Sequence, residues 1–480
     1  MQSSNRRTVY GVALRVILFL FFSSCLIRTT LPEIHAQTDD EKTIAAIFNE
    51  RLASGEMYYL LADLCKNIGP RLSGSKGAEQ AVIWAKEVME NYEFDQVYLQ
   101  EVVVPHWERG QKEQVRIVNI EEGMVELRAL ALGGSVPTES TGITAPVVVV
   151  NSLEEVQELG RETIAGKIVF YNRRFDQTVI TTVPGYGGAV DQRFAGPSQA
   201  AKYGALGVLV RSVTSGFDDE PHTGGLRYLD GIDRIPAVAL GFQSANRLAR
   251  VLEKQPDAMI YMHLSTKWYP DVISHNVIGE IRGSEKPDQI ILVGGHLDSW
   301  DVSEGAHDDG AGTVHAIGVL RTFKLLGIQP RHTIRAVLFM NEENGLRGGI
   351  KYAKRAKEKG EKHVIALESD AGGFSPRGFG VSASDKVVER FRSWLPVFPK
   401  DTISYINKGG GGADIGPLRR ETGTPTIGFI PDSQRVFDLH HAPTDVFETV
   451  NRRELELGGA SIASLIYLID KYGLRDELSQ

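Results

Sequence analysis

Histidine and acidic side chains crowd one short stretch of the chain, HLDSWDVSEGAHDDGAG, which runs from His296 to Gly312. The stretch follows the apolar run IILVGG, which is typical of a buried strand. Packing does not need so many charges, whereas imidazole nitrogen and carboxylate oxygen are ligands that catalytic zinc prefers. The stretch therefore predicts a metal site. Its ionisable residues are His296, Asp298, Asp301, Glu304, His307, Asp308 and Asp309.

Two further strand-like runs end in acidic residues. TIRAVLFMN is followed by Glu342 and Glu343, and HVIALES is followed by Asp370. Because ligands bind beyond the carboxyl ends of strands in open α/β sheets, we expect these residues beside the histidine-rich stretch. Farther along, FDLHHAPTD supplies His440 and His441. Each signal is weak alone, since an acidic pair is usually a solvated loop, and their joint placement at strand ends favours a site.

A pair of zinc ions would explain this concentration of charge. His296 and Asp370 suit one ion, Glu343 and His441 suit the other, and Asp308 suits a bridge between them. Three carboxylates and one hydroxide balance the charge of two Zn²⁺ ions. Without metal, the carboxylates would repel one another and the pKa of at least one would rise. The prediction is two Zn²⁺ per chain.

Spacing leaves two ligand choices open. It does not distinguish His440 from His441, and it does not distinguish Asp308 from Asp309. The run DDG that contains this acidic pair is, taken alone, more typical of a turn than of a site.

Catalysis also needs a base and groups that orient the ligands. Glu342 precedes a candidate ligand directly and suits a general base that takes a proton from the attacking water. Asp298, two residues after His296, suits an acceptor that orients the imidazole N–H. Asp445, four residues after His441, suits the same role.

The surrounding elements predict an α/β protein with a sheet that is covered by helices on both faces. Runs such as NVIGEI and TIRAVLFM are near-continuously apolar, and amphipathic helices alternate with them. Gly, Pro, Ser and Thr cluster between Ala131 and Gly142, which marks a boundary. From there to about Tyr269, short strands and helices alternate over enough chain for a small domain. We therefore expect a small domain at residues 133–270, between the segments 37–132 and 271–480.

Composition and the N-terminus bound the class of protein. The chain has 480 residues, 42% of them hydrophobic and 24% charged, with a net charge of −8 and no long basic run. That pattern is typical of a globular protein and argues against nucleic-acid binding. Arg6 and Arg7 precede VILFLFFSSCLI, which predicts a cleaved signal peptide over residues 1–36 and a secreted or periplasmic chain. A lipid anchor at Cys25 or an uncleaved membrane anchor is less favoured, and no stable membrane partner is expected.

The ordered motifs GGHLDSWD, GAHDDGAG, NEEN, ESDAGG and HHAPTD resemble the co-catalytic zinc aminopeptidase family of exopeptidases. GPRLSGS and EPHTGG resemble a carboxypeptidase subgroup within it, and the resemblance runs from about Asp40 to the last helix. It implies that Asp308 bridges the metals and that His441 is the last ligand. It also implies that Glu342 is the base and Glu343 a ligand. Members often have a cis peptide after the bridging Asp.

The resemblance carries expectations for fold and substrate as well. It implies a mixed-sheet α/β/α zinc-exopeptidase catalytic domain in two parts, residues 37–132 and 271–480, with a protease-associated domain inserted over residues 133–270. It implies hydrolysis of small peptides, particularly dipeptides with both termini free, by a homodimer. An aminopeptidase acting on longer peptides is the alternative. A non-catalytic, peptidase-like binding protein is less favoured, because the ligand set is intact.

Overall fold

Two eight-stranded sheets organise the computed structural model, which describes residues 37–474. The predicted signal peptide lies outside the described residues. The strands are β1 (Gln96–Glu108), β2 (Gln114–Ile120), β3 (Gly123–Leu127), β4 (Ala129–Ala131), β5 (Ile143–Val150), β6 (Ile168–Tyr171), β7 (Gly207–Arg211), β8 (Ala237–Leu240), β9 (Met259–His263), β10 (Lys267–Ile281), β11 (Lys286–His296), β12 (His332–Phe339), β13 (Lys362–Glu368), β14 (Pro376–Ser382), β15 (Tyr405–Lys408) and β16 (Thr426–Pro431).

The helices lie mostly between strands, and several begin at a side chain that caps the backbone. Ser75 accepts a hydrogen bond from the Ala78 amide, and Asn451 accepts from two amides of the last helix. The helices are α1 (Asp39–Ser54), α2 (Glu56–Asp63), α3 (Lys76–Asn91), α4 (Leu153–Ile164), α5 (Val183–Gly187), α6 (Asp191–Phe194), α7 (Gly196–Lys202), α8 (Phe242–Lys254), α9 (Ala311–Leu325), α10 (Arg347–Lys359), α11 (Asp385–Ser393), α12 (Gly416–Thr422), α13 (Val436–Leu439) and α14 (Arg452–Tyr472).

The first sheet has the order β1-β10-β12-β11-β13-β16-β14-β15 and is mixed, as predicted. Strands β12, β11, β13 and β16 run parallel to one another. By contrast, β1 pairs antiparallel with β10, β10 pairs antiparallel with β12, and β14 pairs antiparallel with β16. Because the four central strands are parallel, their carboxyl ends lie along one edge of the sheet.

Helices cover both faces of this sheet. Along β12, Ala336 and Leu338 pack in the core that includes α3, α9 and α14. Val337 and Phe339, which alternate with them, pack against α10 and α12. Alternating side chains point to opposite faces, so every residue of β12 is buried. The predicted α/β/α layering of the first sheet is confirmed.

The second sheet has the order β3-β2-β9-β5-β6-β7-β8-β4 and its own two cores, one on each face. Helix α8 packs on one face, and α4 and α7 pack on the other. Its first strand begins at Gln114, ahead of the boundary expected at residue 133, because β2 pairs with β9. From Thr43 onward the described chain forms one compact unit.

Candidate metal centre

Parallel strands bring the predicted ligands to one edge of the first sheet. His296 is the last residue of β11 and pairs with Phe339, the last residue of β12. The Leu297 amide donates to the Phe339 carbonyl (2.6 Å), and the Ser369 amide donates to the Gly294 carbonyl (3.0 Å). These bonds fix the ends of three adjacent strands side by side. The segment after each strand therefore delivers its acidic residues to the same place.

The two carboxylate oxygens of Asp308 face two separate groups of ligands. Oδ1 lies 3.1 Å from His296 Nε2, which in turn lies 3.4 Å from Asp370 Oδ1. Oδ2 lies 3.3 Å from His441 Nε2, which in turn lies 3.1 Å from Glu343 Oε2. All five predicted ligands thus converge, and Asp308 stands between the two pairs.

Two carboxylate oxygens of the cluster have no hydrogen-bond partner among the described residues. Among the residues that the structure describes, Asp308 Oδ2 and Glu343 Oε1 are buried without a hydrogen-bond partner. Buried polar atoms are normally bonded, because an unsatisfied one costs about 1–3 kcal/mol. Atoms that bind the same metal ion lie close to one another, but each points at the ion and not at its neighbours. The donor set of imidazole and carboxylate therefore fits a metal such as zinc.

Burial and mutual contact shift the ionisation of the cluster. Burial raises the pKa of Asp308, but the adjacent imidazoles of His296 and His441 outweigh it and hold that pKa well below its ordinary value. Burial raises the pKa of Glu343 to about 7, and the negative charge of Asp308 adds to the increase. The cluster therefore shares protons internally, and metal binding would release them.

The candidate base lies beside the ligands without belonging to either pair. The Glu342 amide donates to Asp298 Oδ1 (3.0 Å), as does the Asn341 amide (2.8 Å). Through these two bonds, the Asp298 carboxylate positions the segment that carries Glu342. Burial raises the pKa of Glu342 well above its ordinary value. His296 Nδ1 is oriented instead by the backbone carbonyl of Asp298, at 2.9 Å.

The structure separates the two members of each ambiguous pair. Asp309 uses both carboxylate oxygens on backbone amides, those of His296 (3.0 Å) and Gly312 (2.8 Å), so it secures the loop. The Asp308–Asp309 peptide bond is cis. His440 lies close as well, with Nε2 3.5 Å from Asp308 Oδ2 and its ring stacked on that of His441. Only His441 also reaches Glu343.

Asp445 does not hold His441, contrary to the expectation from spacing. Its carboxylate oxygens accept hydrogen bonds from the amides of His307 (2.8 Å) and Asp308 (3.0 Å). Two adjacent amides that point the same way are a better match for one carboxylate than a distant ring nitrogen is. Asp445 therefore positions the bridging residue itself.

Residues from the part of the chain that forms the second sheet complete the surroundings of His441, and the sequence did not predict them. His441 Nδ1 lies 3.3 Å from both the Thr223 carbonyl oxygen and Arg193 Nη1. Tyr186 lies edge-on to His440, and its hydroxyl accepts from Arg193 Nη2 (2.9 Å). No local motif marks these residues, apart from the EPHTGG run that contains Thr223.

Two cavities have residues of the cluster in their walls. One has a volume of about 650 Å³ and is lined by Glu342 and Glu343. Residues from the part of the chain that forms the second sheet also line it, and three of them are arginines. The other has a volume of about 390 Å³ and is mostly apolar, with Phe374, Phe429 and Phe437 in its wall. Asp308, Asp370, His440 and Tyr186 line both. These volumes suit small ligands that lie across the metal centre.

Comparison with known proteins agrees with this geometry. The model of peptidase family M28 matches residues 276–466, which include all five predicted ligands. Carboxypeptidase Q of Bos taurus is 34% identical over 437 residues, which cover 91% of this chain and 90% of the relative. The chain belongs to peptidase family M28. It is therefore a zinc-dependent metallopeptidase, as its sequence predicted.

Solved structures share the architecture. The crystal structure of a peptidase M28 precursor from Shewanella amazonensis SB2B is 31% identical, with a TM-score of 0.84 over 90% of this chain and 96% of that one. A zinc aminopeptidase from Bacillus subtilis is 22% identical, with a TM-score of 0.63 over 86% and 94%, and it shares the fold. No helix between residues 37 and 474 is both long and apolar enough to cross a membrane.

Proposed function

We propose that this M28 peptidase is a di-zinc exopeptidase that hydrolyses dipeptides and short peptides with free termini. The observation that carries the metal count is the position of Asp308, whose two oxygens face two separate ligand pairs. His296 and Asp370 would hold one ion, and Glu343 and His441 would hold the other. A carboxylate placed in this way serves as a bridge between metals.

The metal and the side chains would have separate roles in the reaction. Bound zinc supplies Lewis acidity, which polarises a carbonyl oxygen and lowers the pKa of a water molecule. Glu342 takes the proton from the attacking water and delivers it to the leaving amine. Asp298 holds the backbone of Glu342 and, through its carbonyl, the ring of His296, so base and ligand keep a fixed relation.

The size of the larger cavity supports a short substrate. About 650 Å³ accommodates a small peptide, and segments of both sheets enclose it. The relatives named carboxypeptidase Q support a substrate with a free carboxyl end. An aminopeptidase that trims longer peptides is the competing proposal, and the relative named aminopeptidase YwaD, 25% identical over 423 residues, favours it.

Domain organisation and location form part of the same proposal. The second sheet, with its own two cores, supports a protease-associated insert between the two parts of the catalytic domain. The apolar leader supports cleavage before Gln37 and export of the mature chain. The resemblance supports a homodimer. Size-exclusion chromatography with light scattering on residues 37–480 tests the dimer directly.

Hydrolysis of unblocked dipeptides by the purified mature chain, with zinc content measured on the same sample, tests the function. We expect about two zinc ions per chain and cleavage that a chelator abolishes. A dipeptide amide tests the need for a free carboxylate. Equal cleavage of free and amide-capped dipeptides would favour the aminopeptidase, and one zinc per chain would refute the bridged pair.

Replacing the bridge tests the metal count from the protein side. Asp308→Ala removes both oxygens, so we expect zinc content to fall below one ion per chain and activity to disappear. Asp301→Asn is the matched control, since Asp301 lies in the same loop but pairs with Arg109. Two zinc ions retained in Asp308→Ala would contradict the bridging role.

A further inference from the structure

Three aromatic side chains in the wall of the larger cavity are partly open to solvent. Trp268 is 41% exposed and Phe194 is 46% exposed, and Tyr228 is partly buried. Phe194 and Tyr228 belong to the part of the chain that forms the second sheet, whereas Trp268 is the second residue of β10 in the first sheet. Large apolar side chains are normally buried, so aromatic rings that meet in one cavity wall indicate a binding surface.

Two of these rings are held in place by hydrogen bonds at their polar ends. Trp268 Nε1 donates to the Gly134 carbonyl (3.1 Å). The Tyr228 hydroxyl accepts from the Val136 amide (3.2 Å) and donates to the Ile235 carbonyl (2.6 Å). Rings that are already fixed in this way lose little freedom when a ligand packs on them. The wall is therefore preorganised for an apolar group.

A pair of glycines connects this wall to the metal ligands. The ring of Trp300 lies edge-on to that of His441, with 5.7 Å between the ring centroids. A Cβ built on Gly133 would lie 1.8 Å from Trp300 Cη2, and one built on Gly134, which has φ +86, would lie 3.2 Å from Trp268 Cζ2. Contacts thus lead from His441 through Trp300 and the two glycines to Trp268. A ligand group at Trp268 would lie outward from the metal ligands.

Charge distinguishes the two cavities and gives the direction in which a dipeptide lies. Three arginines line the larger cavity, whereas no lysine or arginine of the described residues lines the smaller one. Two of the three, Arg227 and Arg234, are exposed, and Arg234 Cζ lies 5.7 Å from the centre of the Tyr228 ring. Positive charge attracts the free carboxyl end of a peptide. The second residue of a dipeptide, which carries that end, would therefore lie in the larger cavity.

We propose that Phe194, Tyr228 and Trp268 bind an aromatic side chain on the second residue of the substrate. The enzyme then prefers dipeptides that end in phenylalanine, tyrosine or tryptophan. This rests on the proposed function. Aromatic rings attract one another in offset and edge-on arrangements, in addition to the effect of the apolar area that they remove from water. A volume of about 650 Å³ leaves room for a large side chain beside the peptide backbone.

The test compares kcat/KM for alanyl-tryptophan, alanyl-leucine and alanyl-alanine in wild type, Trp268→Ala and Trp268→Phe. For wild type we expect alanyl-tryptophan to exceed alanyl-alanine by about 10- to 100-fold, with alanyl-leucine between them. Trp268→Ala should lower the value for alanyl-tryptophan by about 5- to 30-fold and that for alanyl-alanine by less than about threefold. Trp268→Phe keeps a ring, so it should retain part of the preference. The ratio between substrates is the decisive readout, since misfolding would lower all three values.

Phe217→Ala is the matched control for the loss of an exposed aromatic ring. Phe217 is 63% exposed, packs edge-on against Phe242 (5.3 Å between ring centroids) and lines neither of the two cavities. We expect it to leave the ratio unchanged, and zinc content is measured for every variant.

Two results would overturn the proposal. One is equal kcat/KM of wild type for the three dipeptides, and the other is an equal loss on all three in Trp268→Ala. If wild type cleaves no free dipeptide at all, the proposed function itself is refuted, and this proposal with it.

Discussion

Glu342 and Glu343 are adjacent in sequence, and their replacement by glutamine should lower the rate for different reasons, with metal lost only from Glu343→Gln. Glu343 lies 3.1 Å from His441 Nε2 and has a buried, unbonded oxygen, whereas Glu342 belongs to neither ligand pair. Glutamine has nearly the same shape as glutamate, so packing is preserved in both variants. The comparison therefore isolates the carboxylate charge at each position.

The expected magnitude for Glu342→Gln follows from the role of a general base. Such a base contributes about 10²- to 10⁴-fold to the rate, which corresponds to about 3–5 kcal/mol in the barrier. The Glu342 amide keeps its hydrogen bond to Asp298, because the substitution does not touch the backbone. We expect kcat to fall by this factor, KM to change less than about threefold, and zinc content to stay at the wild-type value.

Glu343→Gln should lose metal first and activity as a consequence. The assay is dipeptide hydrolysis by both variants at fixed zinc concentration, with bound zinc measured after dialysis. Glu342→Asp is an informative third variant, since it keeps the charge but withdraws it by one methylene, and its rate should lie between the others. More than about one tenth of wild-type kcat in Glu342→Gln would refute the base assignment, as would loss of zinc.

Three further predictions follow from other parts of the structure. Burial raises the pKa of Glu456 from 4.5 to about 7, so its stabilising contribution is present below pH 4.5 and is lost as the pH rises through 7. Glu456→Gln should thus raise the free energy of unfolding at pH 8 by about 3 kcal/mol over wild type, measured by denaturant titration, and show no such gain at pH 4. Because aromatic rings line the smaller cavity, dipeptides with an apolar first residue should exceed those with glycine by about 10- to 100-fold in kcat/KM, and equal values would argue that this residue does not bind in the smaller cavity. Burial raises the pKa of Cys65 to about 12, so native protein should resist alkylation that unfolded protein undergoes, as mass spectrometry would show.

Much of the fold could be predicted from hydrophobic periodicity. The near-continuous apolar runs correspond to β10 to β13, and one of the amphipathic helices that alternate with them is α9, between β11 and β12. The start of the second sheet was less visible, because β2 joins it only through pairing with β9, far away in the sequence. The local sequence of a strand does not indicate which sheet the strand joins.

The sequence by itself determined which residue types reach the site. Parallel strands place their carboxyl ends on one edge, so residues after β11, β12 and β13 had to meet there. Only the tertiary structure decided what each of them does. Asp308 faces the ligands while Asp309 binds amides, and Asp445 supports the loop and not His441. Arg193 lies 248 positions before His441, and no spacing rule connects them. Contacts of this kind form when segments that are distant in sequence pack together. The local sequence does not determine which residues of a distant segment a side chain will contact.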